Sequence, residues 1–385
     1  MNVLILIDNY FPKENANAIC IQNLINQFSY NKYFVICEGL NNKSEFYEYN
    51  KVNIYTIKRI RSRNNYVTKF LNFMKLLINY NISFKKANLF FQKAKKIIAE
   101  ERIDIVIAVC RPFYTSFSSY KLKIVFPALK VYNIFFDSPC STNYKVELFN
   151  RIWKLSTKRF FLKLNKKNIN FCFMKYSLGS IGFLIDSLNN IKIFDIPCFI
   201  PQKTDEKFVN NGLIVYSGTL DKNYRNPDKI LRFILNIIIK NDLNMNISCY
   251  ASGCEDLLKR IKEDYPQIIN YEGFINNNLI QSVYKNASFF INIGNHNLKQ
   301  LPSKIFTYFS TGKPVINFYF DDDDLSLPYF EEYGNCITIN VNRIENSEEA
   351  LVKFLKSYKI IKYDELSTKF FSNLPYSYKE IIDNI

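Results

Sequence analysis

The segment Leu301–Val315 (LPSKIFTYFSTGKPV) puts a hydroxyl and an ammonium, Ser303 and Lys304, where a helix should begin. An apolar run, Ser288–Ile293, ends at Gly294 and a polar loop follows. Pro302 then opens a helix expected over Pro302–Thr311, with Gly312 just past its end and Pro314 beyond. Unpaired N–H groups at a helix start, joined by a hydroxyl and an ammonium, suit a phosphate or another anion. A lysine is ordinarily favoured at the opposite end of a helix, so Lys304 makes electrostatic sense there when an anion is present. The plainer reading is a solvated lysine in an ordinary strand–helix unit.

Three other groups carry possible chemistry. Asp8 and Asp137 each follow an apolar strand and could orient a hydroxyl that attacks a bound substrate, although acids at strand ends also serve as turn residues. Arg111 follows the strand Asp104–Val109 in the same way. His296 lies in the polar loop before Lys304 and could touch a bound substrate or move a proton. It is the only histidine, which excludes a histidine-based triad and a histidine-rich zinc site. Asp321–Asp324 has the look of a cation site, but it follows the strand Val315–Phe320 and reads as a solvated loop.

The elements that must position these groups alternate. In the second half the strands Leu213–Ser217, Asn246–Ala251, Ile268–Tyr271, Ser288–Ile293, Val315–Phe320 and Cys336–Asn340 are separated by helices. Asn226-Pro227-Asp228 supplies an N-cap, a first-turn proline and an acid for one helix. Others start at Glu255, Asn278 and Ser347-Glu348-Glu349. Short buried strands alternating with helices mean a parallel sheet covered on both faces. The first half repeats this less regularly, with strands Val3–Ile7, Tyr33–Cys37, Asp104–Val109, Val131–Phe136 and Asn170–Met174. Its helices start near Asn15, Tyr66, Phe84, Tyr114 and Lys145. The expectation is an α/β chain of two Rossmann-like domains facing a cleft: 1–197, a linker over 198–212, and 213–365, followed by a C-terminal helix in 366–385 that packs back on the first domain.

The pattern resembles a known family. LPSKIFTYFSTGKPV, Val215–Leu220 (VYSGTL) with Arg225-Asn-Pro227, and Tyr271–Ile275 (YEGFI) look like the signature of GT-B nucleotide-sugar glycosyltransferases. The likeness is to family four and its bacterial relatives with a Pro-Ser-Lys helix start. The opening Leu4–Pro12 (LILIDNYFP) is similar to the first strand and loop of their acceptor domain. The resemblance spans nearly the whole chain, strongly over 213–318 and weakly over 40–200. It implies transfer of a sugar from a nucleotide diphosphate donor, most readily a UDP-sugar, with no cofactor and no bound metal. Arg225, Ser303 and Lys304 would hold the leaving diphosphate, and Gly218 would let the backbone approach the donor. Gly273 and Phe274 would border the base, and Asn295 to Gln300 would lie beside the sugar. Two glutamates common in the family are replaced by Lys299 and Thr307, and a loop glycine pair by Asn15-Ala-Asn-Ala18. Thr307 could still hydrogen-bond a ribose. These departures keep two other readings open, a non-catalytic GT-B binding protein or partner subunit, and a nucleotide-sugar epimerase of the same fold.

Composition bounds the rest. The 385 residues are 48% hydrophobic and 16% aromatic, which excludes disorder. Nine cysteines without a Cys-x-x-Cys pair read as reduced thiols in a cytoplasmic protein. Fifty-one Lys and Arg against 35 Asp and Glu give a net charge of +16. Between Lys51 and Glu100 the only acid is Glu100, and 151–167 contains none. Basic helices interleaved with Phe70, Phe73, Trp153, Phe160 and Phe161 suit an anionic membrane surface, hence a peripheral place on its inner face and a glycan or lipid-linked acceptor in surface polysaccharide synthesis. No nucleic-acid motif accompanies the charge, and a solvated basic face is the plain alternative. No apolar run approaches the length of a membrane span.

Overall fold

The computed structural model describes residues 1–12, 15–40, 44–60, 82–139, 147–194, 211–275, 277–296, 301–362 and 364–366. The described residues form two compact units, 1–194 and 211–366. The expected linker up to residue 210, the helix near Tyr66 and the C-terminal helix beyond 366 lie outside the described residues.

In the first unit, β1 (Asn2–Leu6), β2 (Lys32–Glu38), β3 (Phe46–Tyr49), β4 (Val52–Ile57), β5 (Ile105–Cys110), β6 (Lys130–Phe135), β7 (Asn170–Met174) and β8 (Ile191–Phe194) make one sheet. Its order is β3-β4-β2-β1-β5-β6-β7-β8, parallel except for β3. Val3 to Leu6 and Val106 to Cys110 are buried on both sides, which is why they read as unbroken apolar runs. The helices are α1 (Ala16–Gln27), α2 (Phe84–Glu101), α3 (Phe113–Val125), α4 (Glu147–Asn165) and α5 (Leu178–Ile185). Asn15 starts α1 by accepting from the Ala18 N–H at 2.9 Å. Phe90, Phe91, Trp153, Phe160 and Phe161 are buried in the core. These five aromatics of the basic stretches therefore face inward, which corrects the expectation that Trp153, Phe160 and Phe161 face a membrane, while Phe84 at the start of α2 is exposed; Phe70 and Phe73 lie outside the described residues.

The second unit holds β9 (Leu213–Thr219), β10 (Asn246–Ser252), β11 (Ile269–Tyr271), β12 (Phe289–Ile293), β13 (Val315–Tyr319) and β14 (Cys336–Asn340). All are parallel, in the order β11-β10-β9-β12-β13-β14. Between them run α6 (Asp228–Lys240), α7 (Glu255–Asp264), α8 (Asn277–Asn286), α9 (Lys304–Ser310), α10 (Leu327–Tyr333) and α11 (Glu348–Lys356). Ile230, Leu231, Ile234, Leu235 and Ile238 recur at helical spacing and bury one stripe of α6. Two helix starts differ from expectation. Pro227 precedes α6 rather than opening it, and Asn226 Oδ1 accepts from the Asp228 N–H at 3.0 Å. The helix expected over Pro302–Thr311 is shorter and begins at Lys304. Seven described cysteines, six of them buried, form no disulfide among the described residues.

Candidate functional site

In each sheet the chain leaves the first strand on one side and later returns to the other side of it. The reversals fall between β1 and β5, and between β9 and β12. Such switch points open a crevice at the carboxyl ends of the strands, where ligands bind in open α/β sheets.

The crevice of the second unit is visible in the pairing. β9 pairs with β12 only from Ile214 to Tyr216, yet continues beside β10 as far as Thr219. Past Tyr216 the β12 side of β9 therefore lacks ladder partners, and the buried Tyr308 of α9 supplies them. The Ser217 N–H donates to the Tyr308 hydroxyl at 3.2 Å, and that hydroxyl donates to the Ser217 carbonyl at 3.0 Å. The Tyr284 hydroxyl and the Ser217 Oγ are 2.6 Å apart. Tyr308 stacks on Phe290 of β12 with centroids 4.4 Å apart. These bonds fix the floor of the crevice.

Above it sit the cations. The turn after β9 folds back on itself through Asp221 and Arg225, which exchange backbone hydrogen bonds. It presents the Arg225 guanidinium toward the loop after β12. Arg225 Nη2 donates to Asn295 Oδ1 at 2.6 Å and Nη1 to the Thr219 carbonyl at 3.1 Å. Arg225 Nε is buried with no hydrogen-bond partner among the described residues. The same loops are tied again where the His296 N–H donates to the Tyr224 carbonyl at 2.7 Å. Lys304 begins α9 beside this clamp. Burial, and then the nearby Arg225 charge, push its ammonium down to about 8. Among the described residues neither Arg225 nor Lys304 has a carboxylate within ion-pair distance. Two half-buried like charges held together without an acid are costly unless an anion completes the site.

The other expected residues are placed as follows. Gly218, in β9, has φ +150°, and a Cβ there would approach the Tyr216 hydroxyl to 3.4 Å. Ser303 precedes α9 with helical backbone, and its side chain caps nothing. Since α9 has only seven residues, the anion site rests on side-chain charge rather than on a long helix dipole, a correction to the expected Pro302 start. Thr307 lies half-buried on α9. Gly273 (φ +71°) and the 77%-exposed Phe274 follow β11, two strands from β9 at the same edge. Gln300 and Lys299 lie outside the described residues.

His296 turns toward the end of β13. Its Nδ1 is 3.6 Å from Asp321 Oδ2, too far for a hydrogen bond, and its ring tilts against Phe320. The four-aspartate run does not converge. Asp322 accepts from Asn340 at 3.2 Å, while Asp324 accepts from the Ser326 N–H at 2.8 Å and its hydroxyl at 2.7 Å. An open cavity of about 670 Å³ lies over the β13 and β14 ends, lined by Asp321, Asp322, Asp323, Asn340 and Arg343.

The crevice of the first unit collects acids. Asp8 follows β1 and accepts from Asn9 at 2.7 Å and from Asn15 at 3.4 Å. Burial pushes its carboxyl above the usual range despite those bonds. Its carbonyl accepts from the Glu38 N–H at 2.9 Å. The Glu38 carboxylate at the end of β2 accepts from Lys86 at 2.6 Å and the Tyr114 hydroxyl at 2.5 Å. Burial, reinforced by Glu38, pushes the Tyr114 hydroxyl well up. Asp137, after β6, accepts from the Tyr176 hydroxyl at 3.3 Å and is separated from β1 by β5. Arg111 follows β5, between them. Sequence reasoning missed Glu38, although an acid directly after the apolar run Tyr33–Cys37 is the same signal that marked Asp8.

No family model matches the chain, and no curated protein matches it in sequence. Solved structures do match, over full length. A UDP-forming α,α-trehalose-phosphate synthase from Burkholderia xenovorans, in complex with glucose-6-phosphate, aligns over 100% of this chain and 99% of its own, with TM-score 0.64 and 8% identity. The lipopolysaccharide outer core galactosyltransferase WaaB, in its apo form, aligns over 100% of both chains with TM-score 0.54 and 13% identity. The fold is GT-B. At such identities the likeness is one of fold, and GT-B is not confined to transferases. A protein assigned as a UDP-N-acetylglucosamine 2-epimerase from Listeria monocytogenes aligns over 98% of this chain and 97% of its own, with TM-score 0.55 and 10% identity. In GT-B terms the second unit carries the cationic crevice and the first the acidic one.

Proposed function

We propose that the protein is a glycosyltransferase that moves a sugar from a nucleoside diphosphate-sugar, with UDP the favoured carrier, to a glycan or lipid-linked acceptor. The observation that carries the reading is the pair Arg225 and Lys304, two cations with no carboxylate partner among the described residues at the switch point of the second sheet. When the glycosidic bond breaks, negative charge develops on the departing diphosphate. Preorganised cations in a partly dry crevice stabilise that charge more than they stabilise the bound donor. In this reading they supply the neutralisation that a divalent cation supplies elsewhere, Asn295 holds Arg225 in place, and Ser303 adds a hydroxyl. Gly273 and the exposed Phe274 border the base. Asp8 or Asp137 orients the acceptor hydroxyl, and His296 lies toward the sugar.

The division of labour follows: acceptor on 1–197, donor on 213–365, with 198–212 as the linker. Retention of the anomeric configuration follows the family-four resemblance, and the acceptor belongs to bacterial surface polysaccharide synthesis. A second reading, an epimerase, is favoured by the fold shared with the Listeria protein. An epimerase needs acid and base groups at the sugar, and His296, with Nδ1 unsatisfied among the described residues, is a single such group. The replacement of both family glutamates by Lys299 and Thr307 is what a non-catalytic binding protein would carry.

The separating experiment incubates the protein with nucleotide-sugar donors, with and without a panel of membrane glycolipid and oligosaccharide acceptors, and follows nucleotide release. A transferase releases nucleotide in proportion to acceptor and yields a heavier acceptor. Acceptor-independent conversion of the donor would establish the epimerase, and tight binding without release the binding protein.

A further inference from the structure

Helix α4 is apolar on two opposite faces. Its inner face, Trp153, Phe160, Phe161 and Leu164, is buried in the core of the first unit. Its outer face carries Leu148 and Leu155, about 60% exposed, and Ile152 at 37%. These three lie at i, i+4 and i+7, so they form one stripe along the helix. Arg151, Lys154 and Lys158 flank the stripe, and Arg159 continues it toward the C-terminus. The helix has one acid, Glu147, already taken by Arg151 at 2.7 Å. Among the described residues Lys154, Lys158 and Arg159 have no carboxylate partner within 4 Å. Lys163 lies over the rings of Phe117 and Tyr120, tying α4 to α3.

We propose that the outer face of α4 docks the protein on an anionic lipid surface, the aliphatic stripe entering the headgroup boundary and the flanking cations meeting the charged headgroups. The inference is independent of the transferase reading. An aliphatic stripe bordered by cations that, Arg151 apart, meet no carboxylate among the described residues, on a helix held by its inner face, is the pattern of an in-plane interfacial helix. No helix among the described residues is long and apolar enough to cross a membrane, so the contact lies on the surface. A second copy of the chain fits poorly, because like faces would set cations against cations. A nucleic acid fits poorly too, because Leu148, Ile152 and Leu155 offer neither a stacking ring nor a hydrogen bond.

The test floats the full chain with vesicles of neutral phosphatidylcholine, alone or with about one-third phosphatidylglycerol, at low and high salt. Binding is expected to the anionic vesicles only and to weaken with salt. Leu148→Ser with Ile152→Ser and Leu155→Ser should lower the partition coefficient by about tenfold or more while the melting temperature stays put. Lys154→Glu with Lys158→Glu and Arg159→Glu should do the same. No binding, equal binding to neutral vesicles, or an apolar variant that binds undiminished would each overturn the proposal. So would light scattering in which the apolar variant merely converts a dimer to a monomer. Binding of transfer RNA that the apolar variant leaves intact, with no loss on vesicles, would assign the patch to polyanions instead.

Discussion

Replacing Lys304 with arginine should flatten the pH dependence of nucleotide binding, and the size of the effect follows from where the lysine sits. Burial and the Arg225 charge hold its ammonium at about 8, against an ordinary 10.5. If only the protonated form holds the diphosphate, the apparent dissociation constant scales inversely with the protonated fraction. That fraction is about nine-tenths at pH 7 and about one-tenth at pH 9, so UDP affinity should fall about tenfold between them. The terminal phosphate of UDP, with its last pKa near about 6, is already mostly ionised at pH 7, so its own slope is small and is shared by every variant. Lys304→Arg stays charged throughout and should bind almost equally at both values. Lys304→Ala should bind about 10- to 100-fold more weakly at pH 7, the loss of a charge-assisted hydrogen bond of about 1.5–3 kcal/mol, and should show no further fall at pH 9. Isothermal titration calorimetry at the two pH values reads all three. A tenfold fall in Lys304→Ala as well would trace the slope to another group and refute the assignment. In the unliganded protein the sign reverses. The unfolded chain keeps the proton that folded Lys304 sheds, so this lysine makes stability rise as pH passes from about 8 to 10.5.

Three further outcomes are expected. Asp8→Asn should raise the melting temperature at pH 7 while lowering transfer. Burial raises the folded carboxyl above its unfolded 3.8, so its stability contribution is full below that value and lost as pH rises through the folded one; the gain of the variant should accordingly vanish in acid. Tyr308→Phe should cost about 1–3 kcal/mol in urea unfolding, because the buried Ser217 N–H loses its acceptor where β9 parts from β12. Asn295→Ala should weaken nucleotide binding with the melting temperature unchanged, since it frees the Arg225 guanidinium rather than opening the core; equal affinity would remove Asn295 from the site.

Much of this architecture is legible in the chain because parallel strands are buried on both faces. Val3–Ile7, Val131–Phe136 and Phe289–Ile293 stand out as apolar runs for that reason. The hairpin β3–β4 escaped notice because its edge strand, Phe46–Tyr49, is half exposed and alternates instead. Its turn was only half readable: Asn50 and Lys51 both adopt the left-handed backbone that two-residue hairpin turns require, but of the two only Asn is a residue type that signals it. Helix α5 was hidden by Gly179 and Gly182, poor helix formers that its packing tolerates. α10 carried readable signals, Pro328 in its first turn and Gly334 at φ +71° just past its end. In the site, Arg225 and Lys304 announce themselves by following strands. The Asn295 clamp and the Tyr308 bonds to Ser217 join residues 70 and 91 positions apart, and no local pattern encodes them.

The central claim is that the second unit holds a nucleoside diphosphate between Arg225 and Lys304. It is tested most directly by calorimetric titration of the full chain with UDP, GDP, CDP and dTDP, repeated on Arg225→Ala. Saturable binding of one of them, UDP first, is expected, weakened at least about tenfold by the substitution. Binding that the Arg225→Ala protein retains in full, or no binding of any of the four at millimolar concentration, would contradict it.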